Sequence, residues 1–232
     1  MSLPPRIRAF VDAARVYTPA DLARRLHRRL AHEARSVGLR RDLDAPFDPP
    51  PSRVSLRVRP LEERDVPALL GPPEGGEPEV EASARGYRLR MLAGGLDRCY
   101  VAVTRDGTPC FMQWVLTAAD QQKARRVLGD VFPEYGPDTV LLEGAYTPPR
   151  LRRLGAMPAA TAAVAALGRS EGARWAITFI GESNTASIRG TEQAGFSPYL
   201  RRVERWHWLR RDVQFLPISE GAVSGRGAPS EQ

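Results

Sequence analysis

The chain has 232 residues, 42% of them hydrophobic, and a formal net charge of +7 at pH 7. This length and composition suit one domain with additions. No apolar run reaches the roughly 18 residues of a membrane span, and the residues after Met1 lack the apolar centre of a secretory signal. We therefore expect a cytoplasmic protein. Lys123 is the only lysine, so the charge reflects an arginine-rich composition, and without a nucleic-acid-binding module it predicts no specific nucleic-acid partner.

A basic helix is predicted near the start of the chain, where Thr18 and Pro19 form a helix start. Its leucine stripe is expected to dock on the core, while a homodimer contact, a membrane surface or an anionic partner are open alternatives. The stripe consists of Leu22, Leu26 and Leu30, and the arginines around it are Arg24, Arg25, Arg28, Arg29 and Arg35. We divide the chain into a helical extension with a proline-rich linker (residues 1–51), a core domain (52–212) and a flexible tail (213–232).

The core domain is predicted to begin with a strand, a helix and a hairpin. Apolar and basic residues alternate over residues 53–59 as in a half-exposed strand, and Asp65 marks a helix over residues 61–70. Two apolar runs, residues 98–104 and 108–116, flank a two-residue Asp-Gly turn signal that is typical of a hairpin.

The cysteines and histidines predict neither a disulfide nor a metal site. The hairpin places Cys99 opposite Trp114 and Cys110 opposite Val103, so the two thiols lie apart along the strands. We expect both to be small buried hydrophobic residues in a reducing compartment. The histidines lack the spacing of zinc ligands; they are His27, His32 and His207.

An anion-binding turn is predicted after the next strand. Residues 140–145 are typical of a buried strand, and an alanine-rich helix follows over residues 157–168 with Pro158 in its first turn. Between them, Arg152 and Arg153 stand beside the free amides of a helix N-terminus. Guanidinium groups and free amides together suit a pyrophosphate.

A second segment extends this pattern. Residues 175–180 form another apolar strand, Asn184 can cap the next helix, and Gly195 and Phe196 end it. The order of strand, anion-binding loop, helix, strand and Asn-x-x-Ser helix ending in Gly-Phe resembles the GCN5-related N-acetyltransferase family. The resemblance covers residues 53–210, which makes the core domain an acyltransferase domain of that kind.

The resemblance implies an α/β (α+β) fold with a mixed, mostly antiparallel central sheet and helices on both faces, here with the N-terminal helical extension. The sheet is expected to splay between its fourth and fifth strands, residues 140–145 and 175–180. In the family, the acyl thioester of acetyl-CoA lies in that cleft. Residues 117–138 are expected to form part of the acceptor wall, and their mixed charges identify no substrate.

The resemblance also implies cofactor contacts. The family's pyrophosphate loop falls on Arg152, Arg153, Leu154, Gly155, Ala156 and Met157, where Met157 replaces the usual glycine or alanine. The pantetheine arm is expected on the backbone of Ala145, Tyr146 and Thr147, and Asn184 and Ser187 carry the downstream signature. Gly144 lies where a bulge can turn an amide toward the thioester carbonyl.

Three residues are candidates for proton transfer. Glu143 is a lone carboxylate in an apolar strand, and relatives that use a glutamate base carry it on this strand; a strand carboxylate paired with an arginine is the alternative. Thr191 stands where many relatives place the tyrosine that protonates the leaving thiolate, and its hydroxyl is a poor acid. Tyr199, Tyr146 or water could replace that tyrosine.

The expected activity is transfer of an acetyl group from acetyl-CoA to a primary amine of a small molecule or a protein. Two alternatives stay open: a transferase that uses longer acyl-CoA or acyl carrier protein, and a non-catalytic acyl-CoA sensor. The missing tyrosine and Met157 favour the sensor.

Overall fold

One eight-stranded sheet organises the protein in a computed structural model, which describes residues 31–71, 76–208 and 210–218. The spatial order of the strands is β2-β3-β4-β5-β6-β1-β7-β8, in which β5 and β6 pair in parallel and all other described neighbours pair antiparallel. The predicted mixed, mostly antiparallel sheet is therefore confirmed. The strands are β1 (Ala31–Asp42), β2 (Leu56–Pro60), β3 (Cys99–Thr104), β4 (Pro109–Leu116), β5 (Thr139–Tyr146), β6 (Trp175–Gly181), β7 (Ser197–His207) and β8 (Arg210–Pro217).

Five α-helices lie in the described residues and cover both faces of the sheet, as predicted. They are α1 (Val66–Leu70), α2 (Glu79–Ala93), α3 (Gln121–Leu128), α4 (Ala156–Ser170) and α5 (Thr185–Gln193). Helices α1 to α3 pack on one face around Met91 and Trp114, whereas α4 and α5 pack on the other around Leu39 and Phe111. Within the described residues, no helix has the length and apolarity needed to cross a bilayer.

Helix α4 lies close to the sheet because its buried positions are small. A Cβ atom added to Gly168 would come within 2.6 Å of Val140 on β5. The alanines at positions 160, 162 and 165 of the same helix are also buried. This agrees with the alanine-rich helix predicted from the sequence.

The first described segment differs from its prediction. The leucine stripe and the arginines up to position 29 lie outside the described residues, but Arg35 belongs to strand β1, so the helix predicted there is wrong. Val37 and Leu39 alternate with Ser36 and Gly38, which suits a strand between two neighbours better than a helix. Strand β1 pairs with β6 on one side and with β7 on the other.

Smaller parts of the prediction also need correction. The helix predicted over residues 61–70 is a 3₁₀ turn at Glu63–Asp65 followed by the short α1. Residues 213–217 belong to β8 and pair with β7, so they are not a flexible tail. Cys99 lies opposite Trp114 as predicted, but a bulge pairs Val103 with Pro109, so the predicted partner of Cys110 is wrong. Both cysteines are buried free thiols.

Candidate active site

Strands β5 and β6 separate halfway along the sheet. Their parallel pairing covers Thr139, Val140 and Leu141 and ends there. Strand β6 stays paired with β1 as far as Gly181, whereas β5 continues beside β4 to Tyr146. The predicted splay between these two strands is therefore confirmed, and it leaves the edges of both strands facing a gap.

The free half of β5 carries a bulge. Trp114 pairs with Glu143 and Met112 pairs with Tyr146, so Gly144 and Ala145 stand opposite one residue of β4. Gly144 has a φ of 68°, and a Cβ atom there would lie 2.7 Å from the Trp114 ring. Both the backbone angle and the space require glycine at this position.

Glu143 lies at the start of this bulge on the face that α2 covers. Its Oε1 accepts a hydrogen bond from the Gly144 amide at 2.7 Å, and the Tyr87 side chain of α2 lies close to its carboxylate. Burial raises the pKa of the Glu143 carboxyl, and the Gly144 amide, Arg202, Arg88 and Tyr87 partly oppose that rise. A carboxyl of raised pKa beside the strand gap has the properties of a general base.

The Gly144 amide does not point where the sequence predicts. The prediction directs it toward a thioester carbonyl, but it donates a hydrogen bond to the Glu143 carboxylate. This bond holds the Glu143 carboxylate against the backbone of the bulge.

Arg88 and Tyr87 of α2 also lie at the candidate site, although no sequence pattern singles them out. The Arg88 guanidinium donates to the Gly144 carbonyl at 3.0 Å and also to the carbonyls of Ala145 and Ala84. It lies 4.8 Å from the centre of the Tyr146 ring. In the sequence, Arg88 is one of three arginines in α2, and no local pattern separates it from Arg85 and Arg90.

The turn before α4 has the geometry of an anion site. Arg153 and Gly155 have φ angles of 66° and 71°, and α4 begins directly afterwards at Ala156. Pro158 stands in the first turn of α4, as predicted. Within the described residues, the amides of Arg153, Leu154 and Gly155 donate to no acceptor, while the Leu154 carbonyl accepts from Arg53 at 3.0 Å.

The two arginines of the turn are placed differently. Arg152 forms a bidentate pair with Glu81 at 2.7 and 2.8 Å, and its Nε donates to the Thr147 carbonyl. Arg153 is exposed and has no hydrogen-bond or ion-pair partner in the described part of the chain. Arg153 is therefore the side chain available to an incoming anion, while Arg152 fixes the turn to α2.

The packing of Met157 explains how a long side chain is accommodated at this position. A Cβ atom on Gly190 of α5 would lie 2.7 Å from the Met157 sulfur. The long side chain therefore packs over a glycine of the neighbouring helix. The Met157 side chain thus occupies space that Gly190 provides.

The downstream signature forms a helix start. The Asn184 side chain accepts a hydrogen bond from the Ser187 amide at 3.2 Å, which caps α5. Gly195 has a φ of 88° and Phe196 is buried, so the end of the helix is also as predicted. Neither Asn184 nor Ser187 contacts Glu143.

The other two proton-transfer candidates lie away from Glu143. Thr191 is buried on α5, on the opposite face of the sheet. Tyr199 is half-buried on β7, where burial raises the pKa of its hydroxyl to about 12, and the Arg40 guanidinium lies 5.5 Å from its ring. Neither residue forms a hydrogen bond with Glu143.

The Thr147 hydroxyl lacks a hydrogen-bond partner within the described residues. It is buried directly after β5, beside the gap. Buried polar atoms without partners are rare in proteins, and one at a candidate site suits a ligand. The free amides of the turn, Arg153 and this hydroxyl together fit the phosphates and the amide groups of coenzyme A.

A shallow surface depression lies beside α3. It is formed mostly by the segment that was expected to form part of the acceptor wall, and Leu141 of β5 closes it. Its lining residues are Gln121, Ala124, Arg125, Gly129, Phe132, Pro133, Tyr135 and Leu141. Arg125 is already paired with Asp130 and Glu134, so the depression shows no free charge.

Comparison with known proteins gives structural matches alone. No family model and no curated protein matches the chain. A glucosamine N-acetyltransferase region of a fungal multi-domain β-N-acetylglucosaminidase is 10% identical, with a TM-score of 0.52 over 86% of this chain and 23% of that one. A GCN5-related N-acetyltransferase from Sphaerobacter thermophilus is 14% identical, with a TM-score of 0.46 over 86% of this chain and 57% of that one.

A third solved structure, a tandem protein of the same family from the clavulanic acid biosynthesis pathway, is 19% identical, with a TM-score of 0.43 over 87% of this chain and 59% of that one. The chain spans less than two thirds of the length of each of these three proteins. Together with the splayed sheet, the fungal match shows that the chain has the fold of GCN5-related N-acetyltransferases.

Proposed function

We propose that the protein is an acyl-CoA-dependent N-acyltransferase that transfers an acetyl group from acetyl-CoA to a primary amine. The observation that carries the proposal is the raised-pKa carboxyl of Glu143 on a bulged strand beside the gap between β5 and β6. The fold alone does not specify a reaction, so the proposal depends on this site.

Coenzyme A would be held at two places. The amides of residues 153–157, the N-terminus of α4 and the exposed Arg153 side chain would bind its diphosphate. The backbone of Ala145, Tyr146 and Thr147, together with the unpartnered Thr147 hydroxyl, would bind the pantetheine arm. When bound, the thioester supplies the electrophilic acyl carbon and a thiolate leaving group.

Glu143 would act as the base in direct attack. An amine must lose a proton as it bonds to the acyl carbon, and a partly buried carboxylate takes that proton more readily than an ordinary surface glutamate does. Amides of the bulge would stabilise the charge that develops on the carbonyl oxygen. Tyr199 is a stronger acid than Thr191 and is the better proposed proton donor to the thiolate.

The sheet also supports a revised proposal for the extent of the acyltransferase domain. Because β1 lies between β6 and β7, we place the start of the acyltransferase domain at residue 31 or earlier, instead of at residue 52. The acceptor is proposed to be a small-molecule or protein amine, and a cytoplasmic location and a homodimer stay predictions. A longer-chain acyltransferase and a non-catalytic acyl-CoA sensor are the alternatives.

The direct test is calorimetric titration with acetyl-CoA, followed by an amine panel in which released thiol is detected with a dye. We expect binding at micromolar concentrations and amine-dependent thiol release. No heat at high micromolar acetyl-CoA would contradict the proposal, whereas binding without thiol release for any amine would favour the sensor.

A matched pair of variants tests the diphosphate site. Arg153→Gln should weaken acetyl-CoA binding about 10- to 100-fold, because one charge-assisted contact to an anion is worth roughly 1.5–3 kcal/mol. Arg169→Gln is the control, since Arg169 lies in the last turn of the same helix and pairs with Asp44. Equal affinities for both variants would remove Arg153 from the site.

A further inference from the structure

Arg88 makes an unusual set of contacts for a residue in the middle of a helix. Its three guanidinium nitrogens all donate to carbonyl oxygens: Nε to Gly144 at 3.0 Å, and the other two to Ala145 and Ala84. Gly144 and Ala145 are the two residues of the β5 bulge. One side chain therefore binds both carbonyls that the bulge removes from regular strand pairing.

These contacts fix the direction of one amide of the bulge. In a trans peptide the N–H points opposite to the preceding carbonyl. With the carbonyl of Gly144 held by Arg88, the N–H group of Ala145 must point away from α2, whereas Tyr146 is paired with Met112 of β4. Ala145 is one of the three residues whose backbone the proposed function assigns to the pantetheine arm.

The same helix also lies beside the base. Tyr87, the neighbour of Arg88, lies close to the Glu143 carboxylate, and the Arg88 cation favours the charged form of that carboxylate. Three consecutive residues of β5, from Glu143 to Ala145, therefore face two consecutive residues of α2. A lysine could replace the charge of Arg88 but not its planar fork, which reaches two carbonyls at once.

We propose that Arg88 is a positioning residue of the acyl-transfer site, which sets the bulge of β5 so that the amide of Ala145 faces the acyl donor. The inference rests on the proposed function. Arg88 acts through the backbone of β5 and does not itself touch the reacting atoms.

The experiment compares Arg88→Met and Arg88→Lys with Arg85→Met. Arg85 lies one turn earlier on α2 and pairs with Glu77 instead of β5, at a similar depth, so it is a matched control. We expect Arg88→Met to lower kcat about 100-fold, the scale that a misplacement of about 1 Å produces. Its acid limb in the pH–rate profile should move to higher pH, because Glu143 loses a neighbouring cation.

Arg88→Lys separates charge from geometry. It should restore the position of the acid limb while kcat stays low, because lysine keeps the charge and loses the second carbonyl contact. Hydrogen exchange of the peptide that covers residues 139–147 should quicken in Arg88→Met and not in Arg85→Met. This readout does not depend on turnover.

The outcomes are distinct. If the wild-type protein turns over no acetyl-CoA with any amine, the proposed function fails and the inference fails with it. If the wild type is active and the Arg88 variants match Arg85→Met in kcat, pH profile and exchange, the inference alone is overturned. Loss of folding in both Arg88 variants also overturns it, because Arg88 would then be a stability residue.

Discussion

Glu143 shows how the surroundings of one side chain set its chemistry. Its neighbours include two arginines, a tyrosine hydroxyl and a backbone amide, yet burial outweighs them and the pKa of the carboxyl rises. In the sequence this residue differs from other glutamates only by its apolar neighbours. The hypothesis of a partly buried base is therefore supported by its environment, while its catalytic role stays a proposal.

Glu143→Gln should lower the acyl-transfer rate at neutral pH by about 100-fold or more, because a general base contributes on that scale. In the wild-type protein, the rate should fall as the pH is lowered through the raised pKa of Glu143, since the carboxylate then becomes protonated. That limb should be absent in the variant. The measurement is the pH dependence of kcat/KM with a reactive amine.

Two controls accompany this measurement. Glu171→Gln changes a surface glutamate that pairs with Arg98 and should leave the profile unchanged. A raised pKa in the folded state makes stability fall as the pH rises through it, so Glu143→Gln should be at least as stable as the wild type at neutral pH. A Glu143→Gln profile identical to that of the wild type would remove Glu143 from the mechanism.

At the scale of elements, the bulge of β5 is the feature that makes the strand edge different from an ordinary sheet edge. It requires Gly144 for its backbone angle and for the space beside Trp114, and it receives donors from α2. The turn before α4 is the second element of the candidate site. The linker before β2 holds this turn, because the Arg53 amide donates a hydrogen bond to the Leu154 carbonyl. Both features place backbone amides at one end of the same gap.

Gly144→Ala should lower the free energy of unfolding by roughly 2–4 kcal/mol, since a positive φ and a contact of 2.7 Å with Trp114 both oppose the added methyl group. Gly172→Ala is the matched control: Gly172 has a φ of 85° with no atom within 4 Å of the added Cβ, so backbone strain alone acts there. Urea unfolding of both variants gives the comparison. Equal losses would mean that the contact with Trp114 relaxes freely.

The sequence predicted those elements whose residues carry local signals. The strands β2 to β7, the alanine-rich α4 and the cap at Asn184 follow from alternation, small residues and capping chemistry. The roles of Arg88 and Tyr87 did not follow, because their partners are more than 50 residues away and nothing near α2 marks them. Strand β1 was not predicted for the same reason, because its neighbours in the sheet, β6 and β7, are distant in the chain.

At the scale of the whole molecule, β1 joins the two halves of the sheet. It pairs with β6 and β7 over most of its length, and Leu39 in its middle is fully buried against α4 and α5. Without it, β7 and β8 would have no partner connecting them to the remaining strands. The segment first interpreted as part of an added helix is therefore integral to the fold.

Leu39→Ala should cost roughly 2–5 kcal/mol of unfolding free energy, the range for removing a fully buried leucine side chain. Leu216→Ala on β8 is the control, since that side chain is 45% exposed and should cost much less. Thermal or urea unfolding of the two variants measures the difference in unfolding free energy. A loss below about 1 kcal/mol for Leu39→Ala would contradict a central position for β1.

The position of β1 also has a consequence for synthesis on the ribosome. Leu39 pairs with Thr178 and Pro198, which are translated about 140 residues or more after it. Among the described strands, β1 leaves the ribosome first and stays unpaired until β6 has been translated. Folding dominated by such distant pairings is slow, and a nascent chain halted before β7 would expose the apolar side of β1 to other proteins.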